Sequence, residues 1–263
     1  MIEVPYRDVD IKLMLEPNYM NVANDLLRKS AVISFDVFKY VFKSDPKNII
    51  DIGSCVGLYS MHMSRLCNNT ESKIYSFEPV EESFNIFEKN IKLNNITNII
   101  PINKGLYSEE TQLNISLPRP DSLPERVLQN DGMPGLGRYS IFGDDNLNLE
   151  TGDKEFLSSW GESVKSVIAD FTTIDNFSKE YNISGVDILK IDCEGAEELI
   201  FKSSPEFFKK CKVLFVEHHK GFDPDDRISH ILDSFGFVCS YSDNDKIWVN
   251  NKILKDLFGI EII

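Results

Sequence analysis

Asn48-Ile-Ile-Asp51-Ile-Gly53-Ser-Cys-Val-Gly57-Leu-Tyr-Ser60 is the stretch on which the fold turns. Its first five residues form an apolar run of strand length. Two glycines follow, and then apolar residues at helical spacing from about Leu58 to Cys67. Strand, glycine turn and helix in that order open a doubly wound α/β sheet, whose ligands sit at the carboxyl ends of the strands. Glycines in this turn let the backbone bend sharply and come close to a ligand.

Working outward, the same rhythm recurs. Lys73 to Phe77 reads as a second strand, with Pro79 opening a helix through Ser83, Ile86, Phe87 and Ile91. Asn98 to Ile102 is a third strand, continued by an expected hairpin strand at Gln112 to Leu117. Thr173 to Tyr181 reads as a helix, Val186 to Ile191 as a strand and Ala196 to Lys202 as a helix extended by Pro205 to Lys210. Val213 to Val216 is the next strand and Asp225 to Phe235 the next helix. Phe237 to Tyr241 and Lys246 to Val249 close the pattern as an antiparallel hairpin. Strands alternating with helices of this length predict a mostly parallel sheet with helices on both faces.

Two segments stand outside that rhythm in what reads as one domain, residues 1–263. Residues 1–47 carry helical spacing at Asn18 to Lys29 and Ser34 to Phe42, and are expected to form a helical N-terminal cap. Residues 118–166 hold Pro118, Pro120, Pro124 and Pro134 with Gly132, Gly135, Gly137 and Gly143, and read as an inserted lid or loop. Arg119, Arg126, Arg138, Tyr139, Phe142 and Trp160 make that insertion a candidate cover for an acceptor molecule.

The 263 residues carry a net charge of −14 and are 42% hydrophobic, which fits a soluble globular chain. Polyphosphate partners and anionic membranes draw their affinity from Lys and Arg, so the acidic balance argues against both. No run approaches the ~18 apolar residues of a membrane span, and the N-terminus lacks the apolar core of a signal peptide. Five scattered cysteines with no paired spacing read as reduced thiols, so the expected compartment is the cytoplasm.

Chemistry concentrates at the expected strand ends. Glu78 closes the second strand, where a carboxylate is placed to accept hydrogen bonds from ribose hydroxyls. Asp51, two residues before the first glycine, sits poorly beside a pyrophosphate but suits an ammonium or sulfonium. The spacing also departs from the G-x-G-x-x-G of dinucleotide sites. Alternation along the fourth strand puts Lys190, Asp192 and Glu194 on one side, and in the fifth Glu217 and His219 share a side with His218 opposite. If these ends are neighbours, three roles are open for the cluster. One is a general base for an acceptor hydroxyl, another a divalent metal site, and the third a structural ion pair between Lys190 and its carboxylates.

The motifs Asp51 to Ser60, Ser76-Phe-Glu-Pro-Val80, Leu189-Lys-Ile-Asp-Cys-Glu-Gly-Ala-Glu197 and Phe215-Val-Glu-His-His219 together resemble the FkbM-type S-adenosylmethionine-dependent methyltransferases, from about Asn48 to His219. The resemblance implies a Rossmann-like class I methyltransferase fold and S-adenosyl-L-methionine as cofactor. It implies that Gly53, Ser54 and Gly57 line the cofactor's amino-acid end, with Asp51 nearby and Tyr59 in the same motif. By the same resemblance, Glu78 binds the ribose, Pro79 shapes the adenine slot, and Asn103, Lys104 and Gly105 flank the adenine. The chain departs from the family at Ser54-Cys55, where members more often carry Ala-Asn. A hydroxyl on a sugar, glycan or natural-product scaffold is the implied acceptor, and a small-molecule or glycan partner fits the acidic charge better than nucleic acid. An RNA methyltransferase and a non-catalytic cofactor-binding scaffold remain as alternatives, and nothing in the sequence sets the oligomeric state.

Overall fold

A computed structural model describes residues 2–6, 9–13, 41–118, 164–193, 195–217, 223, 225–242 and 245–253. The glycine stretch builds β3 (Asn48–Ile52) and α1 (Leu58–Leu66). Next come β4 (Lys73–Phe77), α2 (Glu81–Leu93) and β5 (Ile99–Ile102). Glu81 and Glu82 occupy the first turn of α2, where negative charge complements the helix dipole. The chain then makes β6 (Gly105–Leu106), β7 (Thr111–Pro118) and β8 (Val164–Thr172) before α3 (Ile174–Tyr181). Thr173 caps α3, its hydroxyl accepting from the Asn176 amide at 3.1 Å. The second half contributes β9 (Ile188–Ile191), α4 (Glu197–Ser203), α5 (Pro205–Phe208), β10 (Val213–Glu217), α6 (Arg227–Ser234), β11 (Phe237–Ser242) and β12 (Asp245–Asn250).

The main sheet has the order β11-β12-β10-β9-β3-β4-β5. From β10 to β5 its neighbours are parallel, and β12 runs antiparallel to both β10 and β11. This is the doubly wound, Rossmann-like architecture with a mostly parallel sheet expected from the sequence. The closing hairpin differs in one respect from a simple edge addition. Its second strand is inserted between β10 and β11, which is why Ile247, Trp248 and Val249 are all buried.

Alternation sorts the core into two layers. Ile49, Ile74, Ile188, Val213 and Phe215 meet Leu58, Met61 and Met63 of α1 and Phe87 of α2. Ile50, Tyr75, Leu189, Leu214 and Val216 face the other way, onto Ile174, Phe177, Ile200, Phe208 and Leu232. Apart from Asp51, Ser76 and Lys190 on the α1 side, the central parallel strands bury apolar residues on both faces, as a sheet covered on both sides requires.

Three expectations are corrected. Strands β1 (Ile2–Tyr6) and β2 (Val9–Leu13) pair antiparallel, where the start of a helical cap is expected. Apolar residues there recur every second position, the period of a strand; Ile11 is buried in the layer beneath α1 and α2. The helical segments expected at 18–29 and 34–42 lie almost wholly outside the described residues, and a short 3₁₀ turn covers Phe42–Ser44. Second, the strand expected at Gln112 to Leu117 takes a different partner: β7 pairs antiparallel with β8 in a separate sheet of order β6-β8-β7. Third, β8 begins at Val164, two residues before the expected end of the insertion at about 166. Its alternation is easy to miss, since Ile168 stands 70% exposed between buried Ala169 and half-buried Val167.

Candidate active site

The strand order reverses between β3 and β9, and a cleft of about 560 Å³, part of it open to solvent, lies where the carboxyl ends of β3, β4 and β9 meet. Gly53, Glu78, Pro79, Gly105, Cys55 and Asp192 line it with apolar walls from Ile52, Phe77, Leu106, Ile115, Phe171, Cys193 and Ala196. The walls from Ile115 and Phe171 come from the small β6-β8-β7 sheet.

The turn after β3 is wound tightly. Gly53, Cys55 and Gly57 all have positive φ, at 81°, 51° and 88°. The amides of Gly53 and Ser54 both donate to the Phe77 carbonyl, at 3.1 and 2.9 Å, tying the turn to β4. A Cβ on Gly53 would lie 1.8 Å from the Asp192 carbonyl oxygen, and one on Gly57 would lie 1.9 Å from the Phe87 ring. Both glycines are therefore required by backbone conformation and by close packing.

Glu78 is almost fully buried at the foot of the cleft. Its carboxylate accepts from the Cys55 amide and from the Val80 amide, each at 2.8 Å. Burial dominates its proton affinity and pushes the pKa up to about 8. The two amide bonds oppose this, and Asp51 and Asp192 add to it. Asn103 braces the backbone here, its side-chain amide donating to the Glu78 carbonyl at 2.9 Å.

Behind the cleft a polar row crosses the sheet on its α1 side. Ser76, Asp51 and Lys190 are direct register partners on β4, β3 and β9. The Ser60 hydroxyl of α1 donates to Asp51 Oδ2 at 2.5 Å and lies 2.8 Å from Ser76 Oγ. Lys190 Nζ sits 3.3 Å from Asp192 Oδ2, 3.8 Å from Asp51 Oδ1 and 4.5 Å from the centroid of the Tyr59 ring. Burial by itself would discharge this lysine, yet Asp192 and Asp51, with Tyr59 and Glu217, raise its pKa above the ordinary lysine value. For Asp51 burial wins over Lys190 and Ser60, and its pKa is raised.

The loop after β9 is clamped by Glu197, whose buried carboxylate accepts from the Cys193 and Gly195 amides, each at 2.9 Å. Burial foremost, then Glu197 and Asp192, hold the Cys193 thiol well above the usual range, so it is a poor nucleophile.

The chain matches the Methyltransferase FkbM domain over residues 51–244. It belongs to the FkbM methyltransferase family. Methyltransferase 1 of Beauveria bassiana is 26% identical over 58% of this chain and 56% of its own length. Methyltransferase sdnD of Sordaria araneosa is 26% identical over 72% of this chain and 73% of its own. A solved FkbM methyltransferase from Methylobacillus flagellatus aligns at 13% identity with a TM-score of 0.45, over 78% of this chain and 44% of that one. The chain thus spans little more than half of the first relative and less than half of the solved one.

Within this FkbM domain the expected site residues divide. Gly53, Glu78, Pro79, Gly105 and Asp192 face one cleft. Asp51, Ser54, Gly57, Tyr59, Asn103 and Lys104 are not among its lining residues. Ser54 turns inward to the Phe77 and Asp51 carbonyls, and Asp51 is fully buried beneath the turn. Lys190 joins Asp51 to Asp192, and Glu217 acts on it from β10. Glu194, His218 and His219 lie outside the described residues, as do Arg119, Arg126, Arg138, Tyr139, Phe142 and Trp160. Among the described residues no group of three or more His, Cys, Asp or Glu is arranged to hold a metal ion. No described helix is long and apolar enough to cross a membrane. The sequence reading missed the clamp of Glu197, although that residue closes the most diagnostic motif. It also missed Phe171 and Ile115, whose strands pair at long range.

Proposed function

We propose that this chain is an S-adenosylmethionine-dependent methyltransferase that methylates a hydroxyl of a sugar, glycan or natural-product acceptor. The observation that carries the reading is a cleft whose lining includes the buried Glu78 and the half-buried Asp192 among apolar residues. Such a lining suits a ligand with a diol, a flat apolar ring and a cationic end. When bound, the cofactor supplies an activated methyl group on a sulfonium. Glu78 receives the ribose hydroxyls, Pro79 and Leu106 enclose the base, and the Gly53 turn leaves room for close backbone approach. Asp192 presents negative charge to the cationic end, and the acceptor proton falls to Glu217 or His219. Much of the rate then comes from positioning and desolvation, with base catalysis adding ~10²–10⁴-fold. None of the described lining residues is Lys or Arg, which supports a neutral acceptor over RNA.

Calorimetric titration with S-adenosylmethionine and with NAD tests the cofactor. Saturable binding of the sulfonium compound alone, lost in a folded Glu78→Ala variant, is expected; binding of NAD in its place would sink the reading. Transfer of labelled methyl to a panel of glycans, free sugars, polyketides and RNA tests the acceptor. Label confined to RNA would replace the hydroxyl reading with a nucleic-acid one.

A further inference from the structure

The buried ammonium of Lys190 serves two carboxylates unequally. It is hydrogen-bonded to Asp192 at 3.3 Å, whereas Asp51 Oδ1 is 3.8 Å away. Asp51 Oδ2 is satisfied by Ser60, but Oδ1 is fully buried and makes no hydrogen bond. An unsatisfied buried carboxylate oxygen is costly, so the ligand-free arrangement holds a place for the ammonium that the ammonium does not fully take. Asp192 alone of the two reaches the cleft, with its side chain 21% exposed against 0% for Asp51. The Tyr59 ring lies against the ammonium and offers it an attractive face. Two carboxylates around one ammonium also leave a negative charge that a cationic ligand would complete.

We propose that Lys190 is a positioning residue for Asp192 and that Asp51 is its second station. When a cationic group takes Asp192, the ammonium moves about 1 Å to a full hydrogen bond with Asp51 Oδ1. This rests on the cofactor reading above, since it assigns the cationic end of S-adenosylmethionine to Asp192. The handover spares that end the repulsion of a fixed ammonium, and it keeps Asp192 oriented until the ligand arrives. The role of Asp51 is thus exerted from beneath the cleft, through Lys190.

Two ligands separate this role from a structural one. S-Adenosylmethionine carries the cationic end; 5′-methylthioadenosine keeps the nucleoside and sulfur but is neutral. In Asp51→Asn the Ser60 bond is retained and the anionic station is lost. Affinity for S-adenosylmethionine is expected to fall on the order of tenfold, with 5′-methylthioadenosine changed less than about twofold. Equal losses for both ligands, or no loss for either, would overturn the proposal. A second readout needs no variant. The ¹⁵N resonance of the Lys190 ammonium in the wild-type chain should shift on saturation with S-adenosylmethionine and stay in place with 5′-methylthioadenosine. A resonance unmoved by saturating S-adenosylmethionine overturns the handover while leaving the cofactor reading intact. A folded wild-type protein that binds neither ligand overturns the cofactor reading, and the handover falls with it.

Discussion

The carbonyl oxygen of Asp192 fills the space that a side chain on Gly53 would need, 1.8 Å from where its Cβ would stand. The two residues leave β3 and β9 at the point where the sheet reverses its winding, and their backbones touch across it. The Asp192 amide also donates to the Ile52 carbonyl at 3.1 Å, so the contact is anchored on both strands.

Replacing Gly53 by alanine therefore meets backbone on one side and a φ of 81° on the other, neither of which yields cheaply. Gly53→Ala should lose at least about 2 kcal/mol, at roughly 2–4 °C of Tm per kcal/mol for a chain of this size. It should also lose cofactor binding in whatever fraction folds. Thermal unfolding followed by circular dichroism checks the first, and calorimetry the second. A variant with unchanged Tm would show that the two strand ends are free to part.

Glu78 makes stability fall as pH rises. Its folded pKa, about 8, stands above the 4.5 of a free glutamate. Between those values the unfolded chain has released the proton that the folded chain still holds, so the folded state is progressively disfavoured. Above about pH 8 the trend levels off. Tm measured from pH 5 to pH 9 should decline across this window, and Glu78→Gln should flatten the decline. Cofactor affinity should run in the opposite sense, rising toward pH 8, because an ionised carboxylate is the better acceptor for two hydroxyls.

Cys55 holds a φ of 51°, which asparagine tolerates better than most side chains and β-branched residues hardly at all. Cys55→Asn should gain a few tenths to about 1 kcal/mol, and Cys55→Val should lose about 2 kcal/mol. The order Asn, Cys, Val in Tm is the check; equal melting temperatures would mean that the turn relaxes.

Lys190→Met leaves Asp51 buried with no cation beside it. Breaking a buried pair in this way costs about 3–5 kcal/mol. Adding Asp51→Asn to Lys190→Met should restore part of that loss, since the stranded charge is gone. Denaturant unfolding of both single variants and the double gives the coupling energy. Strict additivity would show that the two groups do not interact.

Much of this was written locally. Strand length, the glycine pair and helical spacing determined an α/β chain whose first turn carries the site. Parity along each strand placed Asp192 with Lys190, and Glu78 fell at the end of its strand without any knowledge of neighbours. Period two, however, records only which residues share a face. It says nothing of which strand lies alongside, or of what covers the face. The partner of β7 proved to be β8, some fifty residues further on, and β12 slid between β10 and β11. Asp51, on the same face as Gly53, proved to be sealed by α1 and handed to Lys190. Those pairings are long-range choices made by burial and close packing across the whole domain, and tertiary structure alone decides them. The sequence placed two carboxylates at strand ends; the packing of α1 and β9 decided that Asp192 reaches the ligand while Asp51 stays beneath it.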